Sequence, residues 1–283
     1  MPNLSIEEAL EMFAIFGGTH IALNLKSSID NTILENIVDN YRELERGISP
    51  SYLLEKPYRD VLVAISRGDG KVLNIFKRAR LSETVGRDIL RELRELDIIY
   101  VTPSRERPLK THPKQKLKRH LRSYRIQSKV YFREPFMRFW FGFVEPYRRE
   151  LSEGNTTKFW KNFKEHKERS LSLTFEQLSN DLIEVEFQKR DPLIQKGNHW
   201  DRYSEFDVLC LTSSRKILLG ECKYKGRKIC QNELSKLKEK ATRSGIVVDN
   251  YILFSLNGFS KKLLQNRDKN LLLFEAKDFL KLF

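Results

Sequence analysis

Apolar positions change their period partway along the chain. Residues 4–16 fall at helical spacing and predict a short amphipathic helix, which Gly17-Gly18 breaks. A second helix is predicted from about Ser28 to Tyr41, and Glu43–Lys56, with Gly47 and Pro50, reads as a polar connection. From Tyr58 the pattern predicts three helices and a strand. Tyr58–Ser66 carries Val61, Leu62 and Ile65 on one face, Gly68-Asp69-Gly70 turns the chain, and Lys71–Arg80 is the second helix. Ser82 is a good N-cap for a third helix ending near Asp97. Val85, Ile89, Leu93 and Leu96 predict its buried stripe, with Arg87, Arg91 and Arg94 off it, and Ile98–Val101 reads as a strand.

That order is the pattern of a winged helix-turn-helix, a fold that binds DNA or protein. Between Arg105 and Arg125 lies the most basic stretch, including Lys114, Lys116, Lys118 and Arg119, with Glu106 as its one acid. Pro103, Pro108 and Pro113 prevent its first half from being one helix. It reads as an extended wing or a basic loop, able to contact phosphate or simply solvated. Tyr131–Tyr147 is crowded with aromatics at helical spacing, which favours packing over base stacking. Glu150 to about Ser170 reads as a polar helical connection.

After Ser170 strand periods appear. Leu171–Ile183 is predicted as a helix carrying Glu176, Glu184–Lys189 as a strand, Asp191–Asp201 as a loop, and Tyr203–Leu211 and Lys216–Lys223 as strands joined at Ser213-Ser214. A helix over Cys230–Thr242, a strand over Asn250–Ser255, a helix over Ser260–Gln265 and a strand over Asn270–Phe274 follow. Alternation sets Glu221 and Lys223 on one strand face, and an antiparallel hairpin can bring Asp207 beside Glu221. Two acids in apolar strands repel each other and are costly to bury. A hard cation, Mg²⁺ or Mn²⁺, held by Asp207 and Glu221 would remove that penalty and activate water for phosphodiester hydrolysis. Lys223 could then orient the water or neutralise the phosphorane, so the expected catalytic residues are Asp207, Glu221 and Lys223.

Charge strengthens the nucleic-acid reading: 52 Lys and Arg against 38 Asp and Glu give +14. Arg87, Arg91, Arg94, Lys114, Lys116, Lys118 and Arg119 are the candidate DNA contacts. Three cysteines without a CxxC pair argue against zinc and a disulfide framework, and favour a reducing, cytoplasmic setting. No signal peptide is visible, and the aromatic run is too short and too charged to span a membrane.

The Asp…Glu-x-Lys pattern resembles the PD-(D/E)xK nuclease superfamily over about Leu171 to Phe283, and several of its branches place a further Glu on the first helix, where Glu176 stands. Glu-x-Lys alone is weak, since Glu165–Lys167 and Glu275–Lys277 repeat it; only Glu221–Lys223 follows an apolar strand with an upstream strand Asp. Leu219-Gly-Glu-Cys-Lys223, Ser204-Glu-Phe-Asp207 and Tyr251–Phe259 look like the C-terminal domain of archaeal-type ATPases. Ser123–Ile126 and Glu134–Phe143 resemble the segment preceding it, and Phe16-Gly-Gly-Thr-His20 the ATPase lid. No GxxxxGK[ST] loop is present, so ATP hydrolysis by this chain is not expected. The resemblance implies a lid-like segment (1–56), a winged helix-turn-helix with a basic wing (57–130), an aromatic connector (131–170) and a restriction-endonuclease-like αβββαβ domain (171–283). It leaves open a homodimer, a separate ATPase or other protein partner, and a non-catalytic DNA-binding or assembly role.

Overall fold

The computed structural model describes residues 4–23, 27–110, 112–265 and 268–282, apart from the His120 side chain. It is mixed α/β, with a helical N-terminal region. Two compact units emerge: Met1–Pro103 with Gln127–Leu171, and Ser104–Ile126 with Ser172–Phe283. No helix among the described residues is long and apolar enough to cross a membrane.

In the first unit, α1 (Ile6–Phe16) starts at a capping box: Ser5 Oγ accepts from the Glu8 N–H, and the Glu8 carboxylate accepts from the Ser5 N–H. The second predicted helix is not regular. α2 (Ile29–Ile33) widens into a π-helical turn at Leu34–Val38, and α3 (Tyr41–Gly47) occupies the start of the expected polar connection. Next come α4 (Tyr58–Arg67), α5 (Val72–Ala79) and α6 (Glu83–Glu95), the last capped by Ser82. Strand β1 (Ile99–Thr102) pairs antiparallel with β2 (Lys129–Phe132), an element missing from the sequence reading, and Lys71 bridges to Lys129. α7 (Pro135–Phe139), a π turn over Trp140–Val144 and α8 (Arg148–Ser152) follow. Phe139, Trp140 and Phe141 are buried in one core with Ile75, Phe76 and Leu93, so the aromatics do pack.

The buried stripe of α6 is displaced from the expected one. Gly86, Ile89, Leu90 and Leu93 are buried, whereas Val85 is 46% and Leu96 40% exposed. Gly86 is the reason: a Cβ there would lie 2.3 Å from the Phe76 ring, so the side chain-free face of α6 turns onto α5.

α9 (Thr157–Phe187) is continuous from the first unit into the second. The expected strand at Glu184–Lys189 is therefore absent. Its alternation hid a helical spacing, in which Ile183 and Phe187 are buried and Val185 is exposed. The predicted loop holds β3 (Leu193–Gln195) and β4 (His199–Trp200) instead. The expected single strand from Tyr203 breaks at Asp207 into β5 (Glu205–Phe206), paired with β4, and β6 (Val208–Thr212). β7 (Ile217–Lys223), α10 (Gln231–Ser244), β8 (Asn250–Ser255), α11 (Lys261–Gln265), β9 (Leu271–Glu275) and a 3-10 helix over Ala276–Leu282 complete the unit. The sheet runs β3-β6-β7-β8-β9, antiparallel through β7 and parallel from there on.

Ser104–Ile126, the predicted wing, clusters with this second unit. Its root explains why. Arg105 donates to the Leu209 and Lys196 carbonyls at 2.9 and 2.8 Å, and the Glu106 carboxylate accepts from Arg202 and Tyr124.

Filling Gly86 should reverse the usual helix rule. Gly→Ala ordinarily stabilises an interior helical site by about 1 kcal/mol, but Gly86→Val should lower stability by roughly 1–3 kcal/mol through overpacking. Val85→Ala should change it by less than about 0.5 kcal/mol. Urea unfolding of both variants measures the contrast.

Candidate active site

The pairing of β6 with β7 decides the geometry. Val208 lies opposite Gly220, and one further step of that antiparallel register sets Asp207 opposite Glu221. Asp207 Oδ2 accepts from the Cys222 backbone N–H at 2.8 Å, which ties the carboxylate to the β7 backbone. Asn180 of α9 donates to the Asp207 carbonyl at 3.0 Å and to the Glu176 carbonyl at 2.9 Å, so the helix supports the strand break.

Alternation along β7 turns Leu219, Glu221 and Lys223 to the face covered by α10, where Leu219 packs with Leu234, Leu237 and Ala241. Glu221 is only 8% exposed. Its Oε1 accepts from Lys223 Nζ at 2.6 Å. Lys240 of α10 spans the same carboxylate, with Nζ at 3.1 Å from Oε1 and 2.9 Å from Oε2, and also donates to the Glu205 carbonyl at 3.2 Å.

Charge balance at this site is tight. Burial and then the Glu221 charge push the Asp207 carboxyl up to about 7, against the Cys222 N–H, Lys223 and Lys240, which favour its ionised form. At Lys223 burial disfavours the ammonium, but the Glu221 and Asp207 carboxylates outweigh it and hold its pKa above the ordinary lysine value. Cys222, buried beneath, is pushed well up by burial and then by the Asp207 and Glu176 carboxylates. Glu176 is half-buried on α9 and acts on the Cys222 thiol. Its charge is not among the main influences on Asp207.

Asp207, Glu221 and Lys223 are thus brought together as the hairpin argument expects, with Glu176 near Cys222. Two participants escape a sequence reading. Asn180 gives no signal beyond its place on an amphipathic helix. Lys240 is one of several lysines in α10, and only its position three residues after buried Leu237 and one before buried Ala241 hints that it faces the sheet.

The nucleic-acid candidates fall into two groups, one in each unit. Arg87, Arg91 and Arg94 are exposed on α6; Arg87 pairs with Glu83 at 3.5 Å and Arg91 with Asp88 at 3.0 Å. Lys114, Lys116, Lys118 and Arg119 are exposed on the basic segment of the second unit.

Among the described residues no group of three or more His, Cys, Asp or Glu is arranged to hold a metal ion. The Asp207–Glu221 pair still suits a hard divalent cation, which commonly takes one or two carboxylates and fills its other positions with water and phosphate. The Asp207 carboxyl is raised first by burial and then by the Glu221 charge, and a cation between the two acids would offset both.

A pH dependence follows from Asp207. Its carboxyl holds a proton more tightly folded than unfolded, so stability falls as pH rises from the unperturbed 3.8 to about 7, and the full penalty remains above that. Asp207→Asn should flatten that decline and stabilise the protein at pH 8 by roughly 1–3 kcal/mol. Thermal unfolding of both proteins between pH 4 and 8 measures it.

Residues 140–243 match the model of a family described as archaea bacterial proteins of unknown function (DUF234). The matched stretch includes Asp207, Glu221, Lys223 and Lys240. No curated protein and no solved structure matches the chain. The family match is compatible with the C-terminal region of archaeal-type ATPases.

Proposed function

We propose that this chain is a DNA-binding protein whose second unit hydrolyses phosphodiesters with Mg²⁺ or Mn²⁺ in a PD-(D/E)xK-type site. The observation that carries the reading is the register opposing Asp207 to Glu221, with Lys223 bonded to Glu221 at 2.6 Å. Setting aside the separate β4-β5 ribbon, helix α9, antiparallel β3, β6 and β7, helix α10 and parallel β8 give an αβββαβ order, which supports this reading. A divalent cation at the pair supplies Lewis-acid stabilisation of the phosphate and a more acidic water. Asp207 and Glu221 hold it, and Cys222 N–H and Asn180 fix Asp207 in place. Lys223 offers a half-buried ammonium, held in its charged form by the carboxylates, to orient the nucleophilic water or to meet negative charge on the phosphorane. Glu176 is a supporting acid on the neighbouring helix.

The first unit supports the DNA side of the reading as a winged helix-turn-helix. A three-residue turn, Arg80–Ser82, joins α5 to α6, and the Lys71 bridge completes a small sheet with β2 and β1. Arg87, Arg91 and Arg94 on α6, and separately Lys114, Lys116, Lys118 and Arg119, are the phosphate contacts. A second reading has one observation in its favour: both Glu221 oxygens are already taken by ammonium groups. In it the nuclease-like domain is non-catalytic and serves DNA binding or assembly, with a separate ATPase or another protein as partner.

Plasmid and single-stranded DNA with Mg²⁺, Mn²⁺ or EDTA separate these readings. Wild type should cut only with metal, and Glu221→Ala and Lys223→Ala should each lose about two orders of magnitude or more in rate. Cleavage that survives in both variants, or is absent from wild type, sinks the enzymatic reading.

DNA affinity should fall steeply with salt, and the double reversal Arg87→Glu/Arg91→Glu should weaken it about tenfold and shallow the slope. A salt titration by fluorescence anisotropy tests the first unit independently of catalysis.

A further inference from the structure

We infer that Lys240 is a built-in counter-ion that occupies the cation position of the Asp207–Glu221 pair and must leave Glu221 before a divalent ion can bind there. The inference rests on the reading of that pair as a metal site. Lys223 alone, at 2.6 Å, gives Glu221 an ion-pair partner. Lys240 is surplus to that need, yet its Nζ straddles both carboxylate oxygens at 3.1 and 2.9 Å. A hard cation bound through both oxygens of Glu221 would take that same place.

The two occupants exclude each other for a second reason. A divalent ion beside two ammonium groups in a largely buried site is strongly repelled, because few waters screen the charges. Lys240 has somewhere to go. Its side chain is 33% exposed, against 18% for Lys223, so it is the ammonium that can swing out while Lys223 stays. Among the described residues its other polar contact is the Glu205 carbonyl at 3.2 Å, a neutral acceptor that gives no charge compensation. A phosphodiester anion is the chemical class of ligand that would accept the displaced ammonium, so cation and substrate phosphate should load together. Without them, Lys240 keeps the Glu221 carboxylate compensated.

Mn²⁺ binding to the full chain, measured by calorimetry and by the electron paramagnetic resonance of free Mn²⁺, tests this without reference to cleavage. Lys240→Met and Lys240→Gln should each bind Mn²⁺ about tenfold more tightly than wild type, the strength of one lost charge-assisted competitor, and Lys240→Arg should stay near wild type. Thermal unfolding confirms that the variants fold, and the two neutral variants serve as checks on each other. If Lys240→Met and Lys240→Gln bind Mn²⁺ with wild-type affinity or more weakly, Lys240 is not a competitor, while the metal-site reading stands. If no protein of the set binds Mn²⁺, or if Asp207→Asn and Glu221→Gln leave the binding unchanged, the metal-site reading itself falls.

Discussion

Two carboxylates set opposite each other by one strand register are the constraint on which the second unit depends. Glu221 is buried on β7, and Asp207, half-buried, lies one residue before β6 in the same register. Burial, and then the charge of Glu221, raises the proton affinity of Asp207. The fold answers with donors of three kinds: the Cys222 backbone N–H on Asp207, Lys223 from the same strand as Glu221, and Lys240 from the helix that covers it. A buried acid with fewer partners would cost several kcal/mol.

Packing holds that register. Gly220, the residue before Glu221, sits in a tight place: a Cβ would lie 3.1 Å from the Val208 Cβ and 3.2 Å from the Ile252 Cβ. The close approach keeps β6, β7 and β8 tight behind the acids. On the other face of β7, Leu219 joins Leu234, Leu237, Leu253 and Ala241, which seats α10 so that Lys240 meets Glu221. At Asp207 the chain changes partners, from β4 on one side to β7 on the other, and Phe206 and Leu209 both face the α10 core. Arg105 ties the β3 end of the sheet to β6 through two carbonyls, so part of the basic segment serves the scaffold while its middle stays exposed.

The first unit obeys a different constraint, the close approach of α5 and α6 at Phe76 and Gly86. That contact rotates α6 by about one residue from what its apolar spacing suggests. Leu90 goes in and Val85 comes out, while Arg87, Arg91 and Arg94 stay in solvent in either setting. Their exposure was legible because charge and helical period agree; the identity of the buried neighbours was not, because glycine contributes nothing to a hydrophobic pattern.

Local pattern by itself determined the helices with clear caps, the β6–β7 hairpin with its turn, and the facing of Asp207, Glu221 and Lys223. These depend on periods of two and of 3.6 residues and on one turn, all read within a few residues. Tertiary structure alone decided the rest. It made Glu184–Phe187 helix, because Phe187 buries four residues after Ile183, and it made strands of Lys129–Phe132 and Leu193–Gln195, because each found an antiparallel partner far along the chain. It drew Ser104–Ile126 into the second unit through Arg105 and Glu106. It also brought Lys240 onto Glu221 from 19 residues away. A side chain's partner across a helix–sheet interface is set by packing in three dimensions, and that distance leaves no period in the sequence.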